Sequence, residues 1–379
     1  MYSFLIKNGR VLDPSSGVDT VMDLAVEDGV IVMPESSSAA EDVQIIDAAG
    51  CLVVPGLIDA HAHVNYGSSD NSFQAETGCF PSGVTTVLDG GTCGVSGFQN
   101  FYNSVIAGSQ VTIKSFLNVG SVGQTSHLNP EELDPARFET EKILRYCEKY
   151  RDNIVGIKLR LGAPMLKNHG TGALTASVQL ARQAGLPLVV HMIDCPLPVD
   201  EVLPQLAPGD VYCHVFHNTG DGVILDKNGN VLPEVFEAQR RGVLFDVAHG
   251  RGGASIKMAR AALDQGFKPD LITSDLSRFS LYRMPAHSLG YILSEYLHLG
   301  FSVEELIRLS TETPAKAFLG NKAGFIRPGA PADLAILRVL EKPVRFTDYL
   351  GEVLEGSRLI RCEMTLKSGE PVFRQTDFF

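Results

Sequence analysis

Eight short apolar runs of strand length follow one another along this chain: Leu52–Ile58, Val84–Leu88, Thr112–Val119, Ile154–Leu159, Pro187–His191, Val211–Val215, Val243–Val247 and Leu271–Ser274. Helix-like stretches lie between many of them, over Pro135–Tyr150, Ala173–Ala184, Leu232–Arg241 and Ala254–Gln265. Two more, Met284–Leu299 and Val303–Leu309, follow the last run. Near-continuous apolar runs suit strands covered on both faces, and strands alternating with helices call for parallel pairing. Strand and helix alternating about eight times over roughly 250 residues predict an α/β chain closed into a (β/α)8 TIM barrel.

The two ends have another texture. Phe4-Leu5-Ile6 runs through Asn8-Gly9 into Arg10-Val11-Leu12, and Asp23–Val26 through Asp28-Gly29 into Val30–Val32. Asn-Gly and Asp-Gly are strong short hairpin signals. Asp333–Leu337 and Met364–Gly369 look like further strands with a turn. A small β-sandwich built from residues 1–53 and 322–379 is therefore expected, with one continuous barrel domain, residues 54–321, inserted between its halves. There is no internal repeat, and the serine-rich Ser36–Ala40 reads as a short loop.

A formal net charge of −12 argues against nucleic acid or an anionic membrane as the main partner. The seven cysteines have no paired spacing, which fits buried free thiols in a reducing compartment. No run approaches the roughly 18 consecutive apolar residues of a membrane span. The first residues lack the apolar core of a signal peptide, so a cytoplasmic location is expected.

The chemistry gathers at the ends of the predicted strands. Pro55-Gly56-Leu57-Ile58-Asp59-Ala60-His61-Ala62-His63 sets two histidines two apart, and on a strand such side chains share a face. Asp59 is placed to take a ring N–H of one of them and fix its tautomer. Lys158 sits inside an apolar strand, where a lysine is costly without a partner. His191 and His214 each close an apolar run, and Asp275 ends the eighth. His217 is the alternative to His214, and otherwise a loop residue touching substrate. His249, ending the seventh run, is either a direct participant or a supporting or capping histidine. Asp275 is otherwise a helix N-cap. Arg160 shares a strand face with Lys158 and is either a two-point clamp for a substrate carboxylate or half of a salt bridge at the barrel rim.

This constellation resembles the amidohydrolase superfamily, and within it the amidohydrolase/deacetylase group related to dihydroorotase and D-aminoacylase. Lys7–Asp13, Thr313–Gly320 and Gly324–Leu334 resemble the family's opening strand and its return into the sandwich. The resemblance implies two divalent metal ions held by His61, His63, Lys158, His191, His214 and Asp275. It further implies that Lys158 is carboxylated by CO2 and bridges the ions, and that Asp275 binds one metal and takes the proton of a water or hydroxide shared by both. Zinc suits such ligands; manganese, iron or cobalt would also bind. Asn65 stands where dihydroorotases usually carry an arginine, and Lys158 argues against one-metal deamination. Cys93 is a candidate for the bridging cysteine of D-aminoacylases, but Lys158 fills that need, leaving Cys93 structural or substrate-lining.

The expected function is a deacetylase-like hydrolase that cuts an acyl amide or ester of a small carboxylate-bearing molecule, with Arg160 and His217 as substrate contacts. Ring opening of a cyclic amide or imide is the alternative, and a ligand-poor assembly scaffold the non-enzymatic one. A homo-oligomer is expected, since helical outer rings of barrels often associate.

Overall fold

The computed structural model describes residues 4–32, 43–126, 128 and 131–378; the Ser36–Ala40 loop lies outside them. Seven parallel strands form one curled sheet in strict chain order: Leu57–Ala62, Val84–Asp89, Thr112–Asn118, Ile154–Arg160, Leu188–His191, Val211–Cys213 and Leu244–Asp246. The eighth run, Leu271–Ser274, is not a regular strand. It closes the ring through single bonds on both sides. Val247 N donates to Leu271 O at 3.1 Å and His249 N to Thr273 O at 3.1 Å, while Asp275 N reaches His61 O at 2.7 Å. Isolated parallel bridges join Asp246 to Leu271 and Ala62 to Leu276. The fold is the expected barrel, with its last stave irregular where Asp275 must turn into the mouth.

The helices follow the predicted stretches, most with shorter ends, Thr171–Ala184 starting two residues earlier than expected and Val303–Leu309 matching its expected bounds. Thr140–Lys149, Thr171–Ala184, Pro233–Arg241, Ile256–Leu263, Leu289–His298 and Val303–Leu309 are helical. Side chains facing into the barrel, among them Ile58, Leu88, Phe116, Val189 and Val211, pack on Ala315, Phe318 and Leu319. The helix Glu312–Phe318 thus plugs one end with apolar groups, which leaves polar chemistry to the C-terminal ends of the strands.

Two readings of the termini need correction. Leu52–Ile58 is two strands rather than one. Leu52–Pro55 pairs with Leu334–Leu337 and with Arg10-Val11 in a six-stranded sheet, and the barrel starts only at Leu57. Asn8-Gly9 makes no hairpin: Phe4–Lys7 belongs to a four-stranded sheet and Arg10–Asp13 to the six-stranded one. A two-residue hairpin of the favoured kind needs positive φ at both central residues. Asn8 has it at 62° and Gly9 does not, whereas Asp28 (51°) and Gly29 (83°) both do and form the predicted hairpin. The two sheets share one apolar layer that includes Phe4, Ile6, Val26, Val53, Ile336 and Met364, so the termini do build the expected sandwich. The C-terminal strands are longer than predicted, Leu334–Thr347 pairing with Val353–Lys367. Among the described residues no helix is long and apolar enough to cross a membrane, and all seven cysteines are buried and free.

Candidate metal centre

Strand pairing brings His61, His63, Lys158, His191 and Asp275 to one cavity of about 130 Å³ at the barrel mouth. His214 adjoins it, its ring 4.4 Å from His191 and 5.6 Å from His61 between centroids. A register shift between Asp59 and Ala62 interrupts the strict alternation of the first strand. Ile58 and Ala60 face the apolar interior, and the bulge lets His61 turn to the cavity as well. His191 needs no such device, because Val189, two residues earlier, already faces the interior. His214 and Asp275 lie just past strand ends with left-handed φ of 64° and 45°. Backbone in this region is costly for non-glycine residues and collects at functional sites.

The hydrogen bonds behind the histidines set their tautomers. His214 Nδ1 lies 2.7 Å from Ala248 O, which can only accept, so Nδ1 carries the proton. Thr92 donates to Asp89 at 2.8 Å, and its oxygen therefore accepts from His63 Nδ1 at 2.7 Å. His61 Nδ1 lies 3.3 Å from Asp246 Oδ2 and donates to it. Three histidines accordingly turn a bare Nε2 toward one another's space. His63 Nε2 faces Asp275 Oδ1 across 3.1 Å, an acceptor against an acceptor, a contact that calls for a cation or proton between them. His214 Nε2 is buried without any hydrogen-bond partner. One donor atom each from His61, His63 and Asp275 lies within 4.8 Å of the others. This donor set fits a divalent metal.

The electrostatics agree. Burial, aided by Lys158, holds His61 well below the ordinary histidine range, and burial with His214 does the same for His191. His214 is pushed down to about 3, chiefly by burial. Neutral imidazoles are the metal-binding form. Burial alone would raise Asp275, but the contact with His63 Nε2, once a proton or cation bridges it, and the neighbouring imidazoles of His61 and His214 favour the carboxylate and hold it well below its usual range. Lys158 is 1% exposed. Its Nζ lies 3.3 Å from His61 Nε2, and among the described residues it has no ion pair with a carboxylate.

Several expectations change. Asp59 does not orient a ring: it accepts from Ser274 N at 3.0 Å, from Ser274 Oγ and from His61 N at 3.3 Å. Asp246, which the sequence reading missed, takes that role, although it stands at the end of the seventh strand where a carboxylate could have been noticed. Burial raises Asp59 to about 7 and Asp246 to about 6. His217 is not brought to the cavity. Its Nε2 meets Gly222 O at 3.0 Å and its Nδ1 accepts from Thr219 N at 3.4 Å, so its own loop consumes both nitrogens. His214→Asn is therefore expected to deplete about one metal per chain while His217→Asn retains both, as read by atomic emission on metal-loaded protein. Equal depletion would reverse the choice. Cys93 is also off the cavity, its thiol turned to Gly94 O and pushed up to about 12 by burial. Asn65 is buried and does not line the cavity.

His249 turns away from the mouth. Its Nε2 lies 3.2 Å from Glu295 Oε2, on the helix Leu289–His298. Burial lowers its basicity, but the charge and hydrogen bond of Glu295 prevail and the histidine is raised. A folded-state pKa above the unfolded value gives stability that is complete below the unfolded pKa and is lost as pH rises through the folded one. Glu295→Gln is thus expected to cost roughly 3 kcal/mol below about pH 6.5, with the deficit in melting temperature narrowing at alkaline pH. A deficit that widened with pH would refute this sign.

Arg160 lies beside Lys158 as expected, and it is paired: its Nη1 donates to both oxygens of Glu131, at 3.1 and 2.8 Å. A wider cavity of about 440 Å³ adjoins the metal cavity and shares Asn71, Gln124, Arg160, His191 and Arg251 with it. Neither Glu131 nor Arg251 was singled out from sequence. Arg251, flanked by glycines on the loop after the seventh strand, was the more legible of the two.

Comparison with known proteins agrees with this geometry. The sequence profile of the amidohydrolase family matches residues 52–201. A deacetylase of Brucella anthropi is 30% identical over 93% of this chain and 88% of its own. One of Agrobacterium fabrum is 29% identical over 91% and 85%. Among solved structures, a dihydroorotase superposes with a TM-score of 0.90 at 27% identity, covering 98% of each chain. An adenine deaminase superposes with 0.89 at 25%, covering 99% and 100%. With near-full-length similarity of this kind, the chain belongs to the amidohydrolase family.

Proposed function

We propose that the protein is a deacetylase-like hydrolase that removes an acyl group, held in an amide or ester, from a small molecule bearing a carboxylate. The observation that carries the proposal is that the bare Nε2 atoms of His61 and His63, an ionised Asp275 and a Lys158 with no carboxylate partner among the described residues meet at one cavity, with the bare Nε2 of His214 beside it. His61, His63, His191, His214, Asp275 and Lys158 would hold two divalent ions, with zinc matching the nitrogen-rich set. When bound, such ions supply Lewis acidity and water activated near neutral pH.

The protein's own groups do the rest. Lys158 would add through its amine nitrogen to CO2, forming the N–C bond of a carbamate and releasing a proton, which puts an anion suited to a metal site at this position. Asp275, held ionised among the imidazoles, takes a proton from the attacking water. It returns that proton to the departing nitrogen or oxygen as the carbon–nitrogen or carbon–oxygen bond breaks, leaving a carboxylic acid and an amine or alcohol. The hydrogen bonds from the three Nδ1 atoms hold the rings still, and such outer partners are typically worth about 10- to 100-fold in metal affinity or activity. Arg251, which has no ion pair among the described residues, gives the cavity wall a positive charge in an otherwise acidic protein, which favours an anionic substrate.

The deacetylase names of the Brucella and Agrobacterium relatives support this reading; the dihydroorotase likeness supports ring opening of a cyclic amide as the second reading. The deciding assay uses protein loaded with zinc and bicarbonate against N-acetyl amino acids, O-acetyl hydroxy acids of both hands, dihydroorotate and hydantoin. Turnover of acyl compounds is expected. Turnover of the rings alone would replace the first reading by the second.

A further inference from the structure

We propose that Arg251, rather than Arg160, is the residue that grips the anionic group of the substrate. The inference deepens the functional reading above and rests on its carboxylate-bearing substrate. Both arginines line the metal cavity and the wider cavity beside it. They differ in what already neutralises them. Arg160 donates to both oxygens of Glu131, a carboxylate with only 2% of its side chain exposed. Glu131 is held in turn by Asn118 Nδ2 at 3.3 Å. The Arg160–Glu131 pair carries no net charge, and freeing Arg160 for a ligand would strand a buried carboxylate.

Arg251 has no ion pair among the described residues. Its guanidinium lies 5.1 Å from the centroid of the Phe279 ring, which restricts the plane of the charge without satisfying its donors. It is therefore the uncompensated cation shared by the two cavities, and a planar guanidinium offers two parallel N–H groups to a carboxylate.

The loop that carries Arg251 is built against the metal ligands. A side chain on Gly250 would come within 2.3 Å of Asp275 Oδ2, and one on Gly253 within 2.4 Å of His214 Nδ1. Only glycines let this backbone lie so close, with the arginine between them at the mouth. The loop is also braced. Gly250 N donates to Ser274 O at 2.9 Å and Gly253 N to His249 O at 3.1 Å, while His249 is anchored on Glu295. A short rigid segment thus fixes Arg251 relative to Asp275, so an acyl carbon above Asp275 and an anion on Arg251 are held in one register.

The test compares each N-acetyl amino acid with its neutral carboxamide, in metal-loaded wild type, Arg251→Met, Arg160→Met and Arg278→Met. Arg278 lies 5.0 Å from the centroid of the same Phe279 ring but lines a different cleft, so it controls for loss of surface charge alone. Wild type is expected to prefer the carboxylate. In Arg251→Met the ratio of the two kcat/KM values should fall on the order of 10- to 100-fold, mainly through KM. Arg278→Met should keep the ratio, and metal content should be normal in all. As a readout apart from turnover, titration calorimetry should show free N-acetylglycine binding to wild type and at least tenfold more weakly to Arg251→Met. A ratio that collapses in Arg160→Met but survives in Arg251→Met would overturn the assignment. A wild type that does not distinguish carboxylate from carboxamide would instead overturn the carboxylate-bearing substrate itself.

Discussion

Lys158→Ala is expected to lose bound metal and activity together. The side chain is fully buried, and its stem lies against the backbone at Gly91, where a Cβ would come within 2.4 Å. If it is the proposed bridge, its removal deletes the anion on that side of the cavity, since among the described residues Asp275 lies with His63 and Asp246 behind His61. Metal ions contribute several kcal/mol to transition states of this type, and about 1.36 kcal/mol is a factor of ten in rate. A fall on the order of 10³-fold or more in kcat is therefore expected, with metal content falling from two ions toward one or none. The space left by the truncated chain should admit a small carboxylic acid such as formate or acetate, so partial rescue that saturates with acid concentration is expected. A variant that keeps two ions and full rate would dispose of the bridging role. Loss of activity with both ions retained would mean that Lys158 acts on substrate instead. Thermal unfolding distinguishes these outcomes from simple misfolding.

Asp275→Asn is the second large effect. The substitution preserves shape and removes the basic oxygen, so substrate binding should change little while kcat falls roughly 10²- to 10⁴-fold, the usual worth of a positioned acid–base group. The strained φ of 45° survives, because Asn tolerates the left-handed region well. The structure makes a further demand. Asp275 Oδ1 sits 3.1 Å from the bare Nε2 of His63, and an amide turned with its NH2 toward that nitrogen would form a neutral hydrogen bond there. Metal affinity should therefore drop as well, and the kinetics must be measured at saturating metal. A KM increase with kcat retained would remove Asp275 from proton transfer and leave it as a binding group.

Much of the architecture was legible because its signals are local. The period-two spacing of His61 and His63, the apolar run before His191 and the carboxylate at the end of Leu271–Ser274 each lie within a few residues. The repeat of strand and helix requires no knowledge of distant contacts. Even the irregular eighth stave was placed correctly, although its hydrogen bonding is too sparse to make it a strand. The failures have a common cause. Asn8-Gly9 was misjudged because a turn's φ angles depend on where the next strand is captured, and Arg10–Asp13 is captured by Val18–Val21 and Leu52–Pro55 rather than by Phe4–Lys7. Asp59 was named and Asp246 missed because Asp59 lies nearby in the chain, whereas closure of the ring brings Asp246 to His61 from 185 residues away.

The sequence by itself determined the barrel, the sandwich from the termini and the candidate ligands at successive strand ends, because side-chain periodicity is a property of neighbouring residues. Only the tertiary structure decided which nitrogen of His61, His63 and His214 is bare, that His214 and not His217 lies against the cavity, and that among the described residues Arg160 has a carboxylate partner while Arg251 has none. Each of these depends on a hydrogen-bond or charge partner from another stave of the barrel, and the net charge at a point in space is a sum over groups that only folding brings together.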